Sequence, residues 1–215
     1  MYISLQSGTK LWASDTTGLR FGTDDTFAFS TTYRGVFDTL SSFIRLPPSI
    51  SEYFIAKVTE KTNMFEQNGW KTVACDDENL PSIFFLTGGY WLEVSPIDYA
   101  IDISTAQDRS ICGLAIGPNT VDEIAFGLPL LRGYYSIFDV SNDRLQIAPS
   151  ASSAKSAIIA GSLPAATAYF IAPVPWHTQF ANFFRNNKDW WIFALGSVIV
   201  IMGLLTMLLW SGIFD

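Results

Sequence analysis

The sequence is poor in residues that usually hold metal ions, with one histidine and two cysteines among 215 residues. His177 is isolated, and Cys75 and Cys112 lie far apart along the chain. Zinc sites use nitrogen and sulfur ligands that usually come in closely spaced pairs. We therefore expect no metal site, and we expect no cofactor.

Basic residues are also few, with 13 Lys and Arg against 20 Asp and Glu and a net charge of −7 at pH 7. The basic residues are scattered, so the sequence forms no cationic patch that could bind a phosphate backbone. Nucleic acid is therefore excluded as an expected partner.

The N-terminus lacks the pattern of a secretory signal peptide, because Met1 is followed directly by Tyr2-Ile3-Ser4-Leu5 without basic residues and a long apolar run. If the body of the protein is lumenal, we expect a leader upstream of this sequence. The sequence also contains no Asn-x-Ser/Thr sequon, so glycosylation gives no indication of topology.

Long apolar runs are absent except near the C-terminus, although hydrophobic residues make up 49% of the chain. Residues 191–210 contain no charged side chain. At ~1.5 Å per residue, a helix of this length matches the ~30 Å hydrocarbon core of a bilayer. Trp190 and Trp210 would anchor its two ends. We predict a single-pass transmembrane helix over 190–211 and a short tail over 212–215; the alternative, a helix buried in the protein, leaves too little chain to enclose it.

Residues 150–189 are predicted to form a linker and a juxtamembrane segment, because Ala, Ser and isolated Ile replace the strand pattern after Pro149. Two nearby cations, Arg185 and Lys188, would place the body in the cytosol by the positive-inside rule, but two charges decide little. A cysteine pair in a membrane-anchored chain favours one disulfide in an oxidising lumen, and two buried thiols are the alternative.

Residues 1–149 have the pattern of a mainly β domain, with short alternating apolar runs separated by Gly, Asp and Pro turns. The clearest hairpins are predicted over residues 80–94, around Gly88 and Gly89, and over residues 135–148. One longer helix is expected over residues 50–58 from its apolar spacing.

The start of that helix is predicted from a capping box. Ser49 precedes the first apolar residue and would be the N-cap, and Glu52 follows three residues later. In such a pair each side chain accepts a hydrogen bond from the backbone of the other residue.

The candidate catalytic segment is Val36-Phe37-Asp38-Thr39-Leu40-Ser41-Ser42-Phe43-Ile44. A strand that brings Val36 and Phe37 into the core leaves Asp38 at the rim, where a carboxylate is costly unless it is hydrogen-bonded. An acid placed in this way is a candidate for chemistry. The alternative is a strand that ends in an Asx or Ser/Thr turn, with Asp38 capping the next segment.

This segment resembles the second catalytic loop of the pepsin-like aspartic proteases, in which two apolar residues precede Asp-Thr-Gly-Ser/Thr-Ser/Thr and two more apolar residues follow. Leu40 stands where the family has glycine. Further segments resemble the C-terminal lobe of that family in the same order: Tyr2-Ile3-Ser4-Leu5, Leu80-Pro81-Ser82-Ile83-Phe84-Phe85, Leu92-Glu93-Val94-Ser95-Pro96-Ile97-Asp98-Tyr99, Ala125-Phe126-Gly127 through Phe138-Asp139, and Ile147-Ala148-Pro149.

The resemblance implies a fold and a set of site residues. Residues 1–149 would form the C-terminal lobe, a β-sandwich of orthogonal sheets with short helices. Asp38 would be a catalytic acid, Thr39 would orient the loop from behind, and Ser41 would hydrogen-bond the carboxylate. A strand ending at Gly127 would cross behind the loop, where the absence of a Cβ permits close packing.

Cys75 and Cys112 sit where the family places its C-lobe disulfide. The predicted membrane helix resembles that of the membrane-anchored members, which implies a body in the lumen of the secretory or endolysosomal pathway or outside the cell. Polypeptide substrates and membrane lipid are the partners this implies.

The function that this resemblance implies is aspartic-type endopeptidase activity, which needs two carboxylates. A second such motif is absent from the sequence. One interpretation is half of a catalytic unit, inactive alone, whose partner is a missing N-terminal lobe. Others are a catalytically dead pseudoprotease acting as a membrane-tethered binding module, and a dimer in which a second chain supplies the second acid. Leu40 is expected to displace the loop amide from the Asp38 carboxylate, at a cost of roughly 1.5–3 kcal/mol.

Overall fold

The computed structural model describes residues 2–5, 11–23, 25–105, 110–151, 156–164 and 168–170. The chain divides into two compact units, Met1–Ala172 and Pro173–Asp215, and all described residues lie in the first. The predicted transmembrane helix over 190–211, the tail and most of the juxtamembrane segment lie outside the described residues. Within the described residues, no helix has the length and apolar character needed to cross a membrane.

The described residues are mainly strand, which confirms the mainly β prediction. In chain order the strands are β1 (Tyr2–Ser4), β2 (Ala13–Phe21), β3 (Asp25–Phe37), β4 (Ile44–Leu46), β5 (Phe65–Gln67), β6 (Trp70–Ala74), β7 (Ile83–Thr87), β8 (Tyr90–Val94), β9 (Ala100–Asp102), β10 (Ile111–Leu114), β11 (Ile116–Pro118), β12 (Ile124–Phe126), β13 (Tyr134–Asp139), β14 (Arg144–Pro149), β15 (Ile158–Ala160) and β16 (Ala168–Phe170). The α-helices are α1 (Pro48–Val58), α2 (Pro96–Tyr99) and α3 (Leu128–Leu131).

The strands form three sheets. The largest follows the order β11-β4-β12-β3-β2-β7-β8-β15, and β16 also pairs with β3. A four-stranded sheet has the order β5-β6-β10-β9, and a three-stranded sheet has the order β1-β14-β13. Most pairs are antiparallel, but β12 runs parallel to β3 and places Phe126 beside Phe37. This parallel pair carries the candidate site at its end.

Both predicted hairpins are present. β7 and β8 pair from Ile83 opposite Val94 to Thr87 opposite Tyr90, and their turn consists of two glycines with positive φ. β13 and β14 pair over their whole length, joined by one 3₁₀ turn. Turn chemistry in the sequence therefore identified these two hairpins.

Helix α1 packs one apolar face on the core, where Ile50, Phe54 and Val58 are buried. Its predicted start was wrong. The helix begins at Pro48 with Pro47 as the N-cap residue, and no side chain caps it. Proline at the first helical position needs no N–H partner and has φ already fixed near the helical value, which makes a Ser49–Glu52 capping box unnecessary.

A series of buried aromatic rings connects α1 to the parallel strands. Phe54 stacks on Phe85 with ring centroids 5.9 Å apart, Phe85 meets Phe126 edge-on at 5.1 Å, and Phe126 lies 5.2 Å from Phe37. Such pairs contribute about 0.5–1.5 kcal/mol each beyond the area that they bury. Ring packing thus fixes the end of β3 against the buried residues of the core.

Cys75 and Cys112 form a disulfide with a Cα–Cα distance of 4.9 Å, which confirms the expected bond and excludes two free thiols. The bond joins the end of β6 to the neighbouring strand β10. Because it links positions 37 residues apart, the chain-entropy model assigns it a stabilisation of roughly 3–4 kcal/mol.

The largest sheet extends past the predicted domain boundary at residue 149. β15 adds to the edge of β8, and Leu163 packs on a small apolar cluster formed by Phe84, Leu86 and Trp91. We call residues 156–164 the strap. An open sheet edge has unpaired backbone groups, and pairing them with the strap is a tertiary effect that an Ala/Ser-rich composition does not indicate.

The buried Tyr134 side chain links the strap to β8. Its hydroxyl lies 2.8 Å from the carbonyl oxygens of both Glu93 and Ala157. We expect Tyr134→Phe to lower the free energy of unfolding by about 1 kcal/mol, the usual net value of one hydrogen bond. Urea unfolding measures this, and Tyr135→Phe at the neighbouring exposed position is the matched control. Equal stability of the two variants would contradict this role.

Helix α2 buries a carboxyl group. Asp98 is 5% exposed, and its Oδ2 has no hydrogen-bond partner among the described residues. Burial raises the pKa of Asp98, nearby Arg132 opposes the shift, and Glu93 adds to it. The folded protein therefore binds this proton more tightly than the unfolded chain does.

The contribution of Asp98 to stability is complete below the ordinary Asp pKa of about 3.9 and is lost as pH rises through its higher folded-state value. We therefore expect the free energy of unfolding, measured in urea, to fall as pH rises above about 4. Asp98→Asn removes this part of the slope, while Asp122→Asn at an exposed turn retains it. A slope that Asp98→Asn leaves intact would show that other groups cause it.

Candidate active site

Asp38 begins the loop that joins β3 to β4, at the end of the parallel strand pair. Its backbone N–H donates to the carbonyl of Phe126 at 3.0 Å, which continues the β3–β12 ladder by one residue. The side chain is half-buried, and its Oδ1 accepts the N–H of Leu40 at 2.9 Å. The acid therefore sits at the rim of the core, where its sequence position predicted it.

The expected effect of Leu40 on this loop was wrong. The Leu40 N–H reaches the Asp38 carboxylate, and the Leu40 side chain is 93% exposed. The residue also does not have a positive φ, the conformation that favours glycine. Because its Cβ and side chain point into solvent, they do not occupy the space between the amide and the carboxylate.

Ser41 has a different partner from the one expected. Its hydroxyl donates to the carbonyl of Phe43 at 2.8 Å and accepts from the Phe43 N–H at 3.3 Å, so it fixes the shape of the loop and not the carboxylate. Thr39 is exposed on the loop surface. Two of the expected loop residues thus lie beside Asp38 without a hydrogen bond to its side chain.

Gly127 lies directly behind the loop. A Cβ at this position would be 2.3 Å from the carbonyl oxygen of Phe43 and 2.4 Å from that of Ser41. The next residue, Leu128, donates its N–H to the Ser41 carbonyl at 2.9 Å. The backbone at the end of β12 and the loop therefore lie so close together that only glycine fits at position 127.

A cleft of about 490 Å³ opens beside Asp38. Both apolar and charged residues line it: Val36, Asp38, Leu40, Ser41, Ser42, Phe43, Arg45, Asn119, Glu123 and Ala125. Glu123 forms an ion pair with Arg34. Within the described residues, no group of three or more His, Cys, Asp or Glu side chains could hold a metal ion.

Sequence reasoning missed two charged residues that line this cleft, Arg45 and Glu123, and the ion-pair partner of Glu123, Arg34. The sequence could have indicated Arg45, because it lies between Ile44 and Leu46, which are buried. In a strand its side chain therefore points to the opposite face of the sheet. No local signal existed for the ion pair, because its partners are 89 positions apart and meet only through the pairing of β3 with β12.

The arrangement can position one carboxylate for acid–base chemistry. The Leu40 N–H holds the Asp38 side chain, which lines the open cleft. A single carboxylate can accept or donate a proton in a reaction, but proton sharing between two acids requires a second one close by.

Comparison with known proteins gives one family. The family described as "Asp: Eukaryotic aspartyl protease" matches residues 1–150. Vacuolar protease A of Neurospora crassa is 30% identical over 139 residues, which cover 64% of this chain and 34% of that protein. The probable vacuolar protease A of Trichophyton verrucosum is 28% identical over 139 residues, covering 64% and 33%.

Gastricsin of Mus musculus is 26% identical over 125 residues, which cover 54% of this chain and 30% of that protein. The chain thus spans about one third of the length of the curated relatives that it matches.

Substitution of Gly127 tests the backbone contact behind the loop. We expect Gly127→Ala to destabilise the protein by about 3 kcal/mol, since the new methyl group meets two backbone oxygens that cannot move independently. The matched control is Gly117→Ala in the neighbouring β11, where a Cβ would meet only Phe43 at 3.9 Å. Urea unfolding midpoints measure both. If Gly127→Ala is as stable as Gly117→Ala, the close contact does not exist in solution.

Proposed function

Because the chain belongs to the eukaryotic aspartyl protease family, we propose that it supplies one half of the catalytic unit of a pepsin-like aspartic endopeptidase acting on polypeptides. The observation that carries this proposal is the position of Asp38. Its carboxylate lies at the end of two parallel strands, is held by the Leu40 amide and faces an open cleft.

The half-unit assignment is supported by the extent of the match. The chain covers about one third of the matched relatives, and it contains one Asp-Thr motif of the required kind. The order of the segments quoted from the sequence resembles that of a C-terminal lobe, which supports this assignment. The partner is an N-terminal lobe with the second acid, which lies outside this sequence.

In the proposed mechanism the two carboxylates share one proton, because like charges at short distance cannot both ionise cheaply. The charged acid activates a water molecule, and the protonated acid polarises the scissile carbonyl. Asp38 is one member of this pair. The Leu40 N–H and the loop closed by Ser41 keep its side chain in place, which reduces the reorganisation needed during the reaction.

We place the body in the lumen of the secretory or endolysosomal pathway, with residues 190–211 as a single-pass anchor in membrane lipid. The disulfide supports an oxidising compartment. The names of the matched fungal relatives include the word vacuolar, which agrees with an endolysosomal location for those proteins.

A catalytically dead binding module is the alternative function, and Leu40 favours it. This large apolar side chain projects into solvent at the mouth of the cleft, where the family motif has glycine. It would crowd a partner lobe or a substrate approaching Asp38, and an exposed apolar group of this kind suits protein binding.

The test is a peptide cleavage assay at acid pH, with and without pepstatin. The full chain is measured alone and after refolding with the N-terminal two thirds of Neurospora crassa vacuolar protease A. We expect cleavage only in the refolded mixture, with a loss of at least about 100-fold for Asp38→Asn, because a general acid–base contributes about 10²–10⁴-fold. Asp122→Asn is the control and should retain activity.

Other outcomes separate the alternatives. A mixture that assembles but cleaves only with Leu40→Gly supports the binding module. Pepstatin-sensitive cleavage by the chain alone, abolished by Asp38→Asn, would indicate that two copies complete the site. Cleavage that Asp38→Asn leaves unchanged would refute the catalytic assignment.

A further inference from the structure

The floor of the cleft is a row of three residues from adjacent strands. Ala125 of β12 lies opposite Val36 of β3 and opposite Arg45 of β4. Residues directly opposite one another in a sheet point to the same face, and all three line the cleft. Their sequence neighbours Phe37 and Phe126 are buried on the other face.

The third member of this row brings a positive charge to the cleft. Arg45 donates one N–H to the carbonyl of Pro118 at 3.3 Å, and its guanidinium lies 5.2 Å from the centroid of the Phe43 ring. Among the described residues it has no carboxylate within ion-pair distance. A guanidinium has five N–H donors, so most of those of Arg45 make no hydrogen bond within the described residues.

The two acids that line the cleft already have partners. Glu123 is paired with Arg34, and one oxygen of Asp38 accepts the Leu40 amide. Asn119 also bonds within its own loop, with its side-chain N–H₂ donating to the Glu123 carbonyl at 2.9 Å. Arg45 is therefore the cation among the lining residues, and in the described part of the chain it forms no ion pair.

The cleft also has space for a side chain next to Arg45. Its volume is about 490 Å³, and the centre of the floor is Ala125, a small residue. A peptide side chain of moderate length could lie on this floor and bring a polar end to the guanidinium. Carboxylates are the groups that match the planar fork of arginine with two parallel hydrogen bonds.

Resting on the proposed function, we propose that Arg45 is a specificity-determining residue that selects peptides carrying a carboxylate near the bond cleaved at Asp38. The carboxylate belongs either to an Asp or Glu side chain or to the C-terminus of the peptide. Because the interaction needs the ionised form, the preference weakens as pH falls below the ordinary Glu pKa of about 4.3.

Peptide binding to the full chain tests this without requiring cleavage. Apolar hexapeptides labelled with an uncharged dye carry Glu, Gln or Lys at one position in turn, with the C-terminus amidated. Anisotropy titrations at about pH 5.5 keep Glu ionised. We expect the best Glu peptide to bind roughly 5–10-fold more tightly than its Gln counterpart, as for a charge-assisted hydrogen bond near the surface. Gln peptides with a free C-terminus, compared with the amides, distinguish the two sources of carboxylate.

Variants assign the preference to Arg45. Arg45→Gln should reduce the Glu-to-Gln ratio to about one, and Arg45→Lys should retain part of it. Lys61→Gln removes the same charge from an exposed site elsewhere and should leave the ratio unchanged. Because the titration measures binding and not cleavage, failure of the catalytic proposal and failure of this one are distinguishable.

Three results would overturn the proposal: equal binding of all carboxylate peptides and their neutral counterparts by the wild-type chain, an unchanged ratio in Arg45→Gln, or no measurable binding of any peptide to the wild-type chain.

Discussion

The candidate site depends on the contact between the end of β12 and the Asp38 loop. The Asp38 N–H bonds the Phe126 carbonyl, and the Leu128 N–H bonds the Ser41 carbonyl, so two backbone hydrogen bonds on either side of Gly127 clamp the loop. This clamp requires the parallel pairing of β3 and β12. It also requires a residue without a Cβ between the two bonds.

The core supports the clamp from below. Phe126 touches both Phe37 and Phe85, and Phe85 stacks on Phe54 of α1. Close-packed rings leave little room for the strand ends to shift. The loop above them is consequently rigid at its base, while Thr39 and Leu40 at its tip face solvent. A rigid base with an open tip suits a carboxylate that must keep its position and remain accessible to a second acid and a substrate.

The sequence predicted best those features that local chemistry determines. Alternation, Gly-Gly turns and the position of Asp38 after two apolar residues identified the hairpins and the strand end. The features that it missed come from contacts between distant segments. The Leu40 side chain is exposed because of the path of the loop, and Ser41 bonds Phe43. The ion pair between Glu123 of the cleft and Arg34 forms only because β3 pairs with β12. Helix α1 differed for a local reason, since Pro47 and Pro48 set its start before Ser49 could act as a cap.

The strap allows one face of the largest sheet to carry large apolar side chains. Phe84, Leu86 and Trp91 are buried there with Leu163 against them, and Arg20 lies over the Phe84 ring at 3.9 Å. Without the strap, these side chains would form an exposed apolar patch, which favours aggregation. The covering segment lies beyond the residues shared with the family, 1–150. The apolar face and its cover thus depend on each other physically, because removal of the strap would expose Phe84, Leu86 and Trp91 to water.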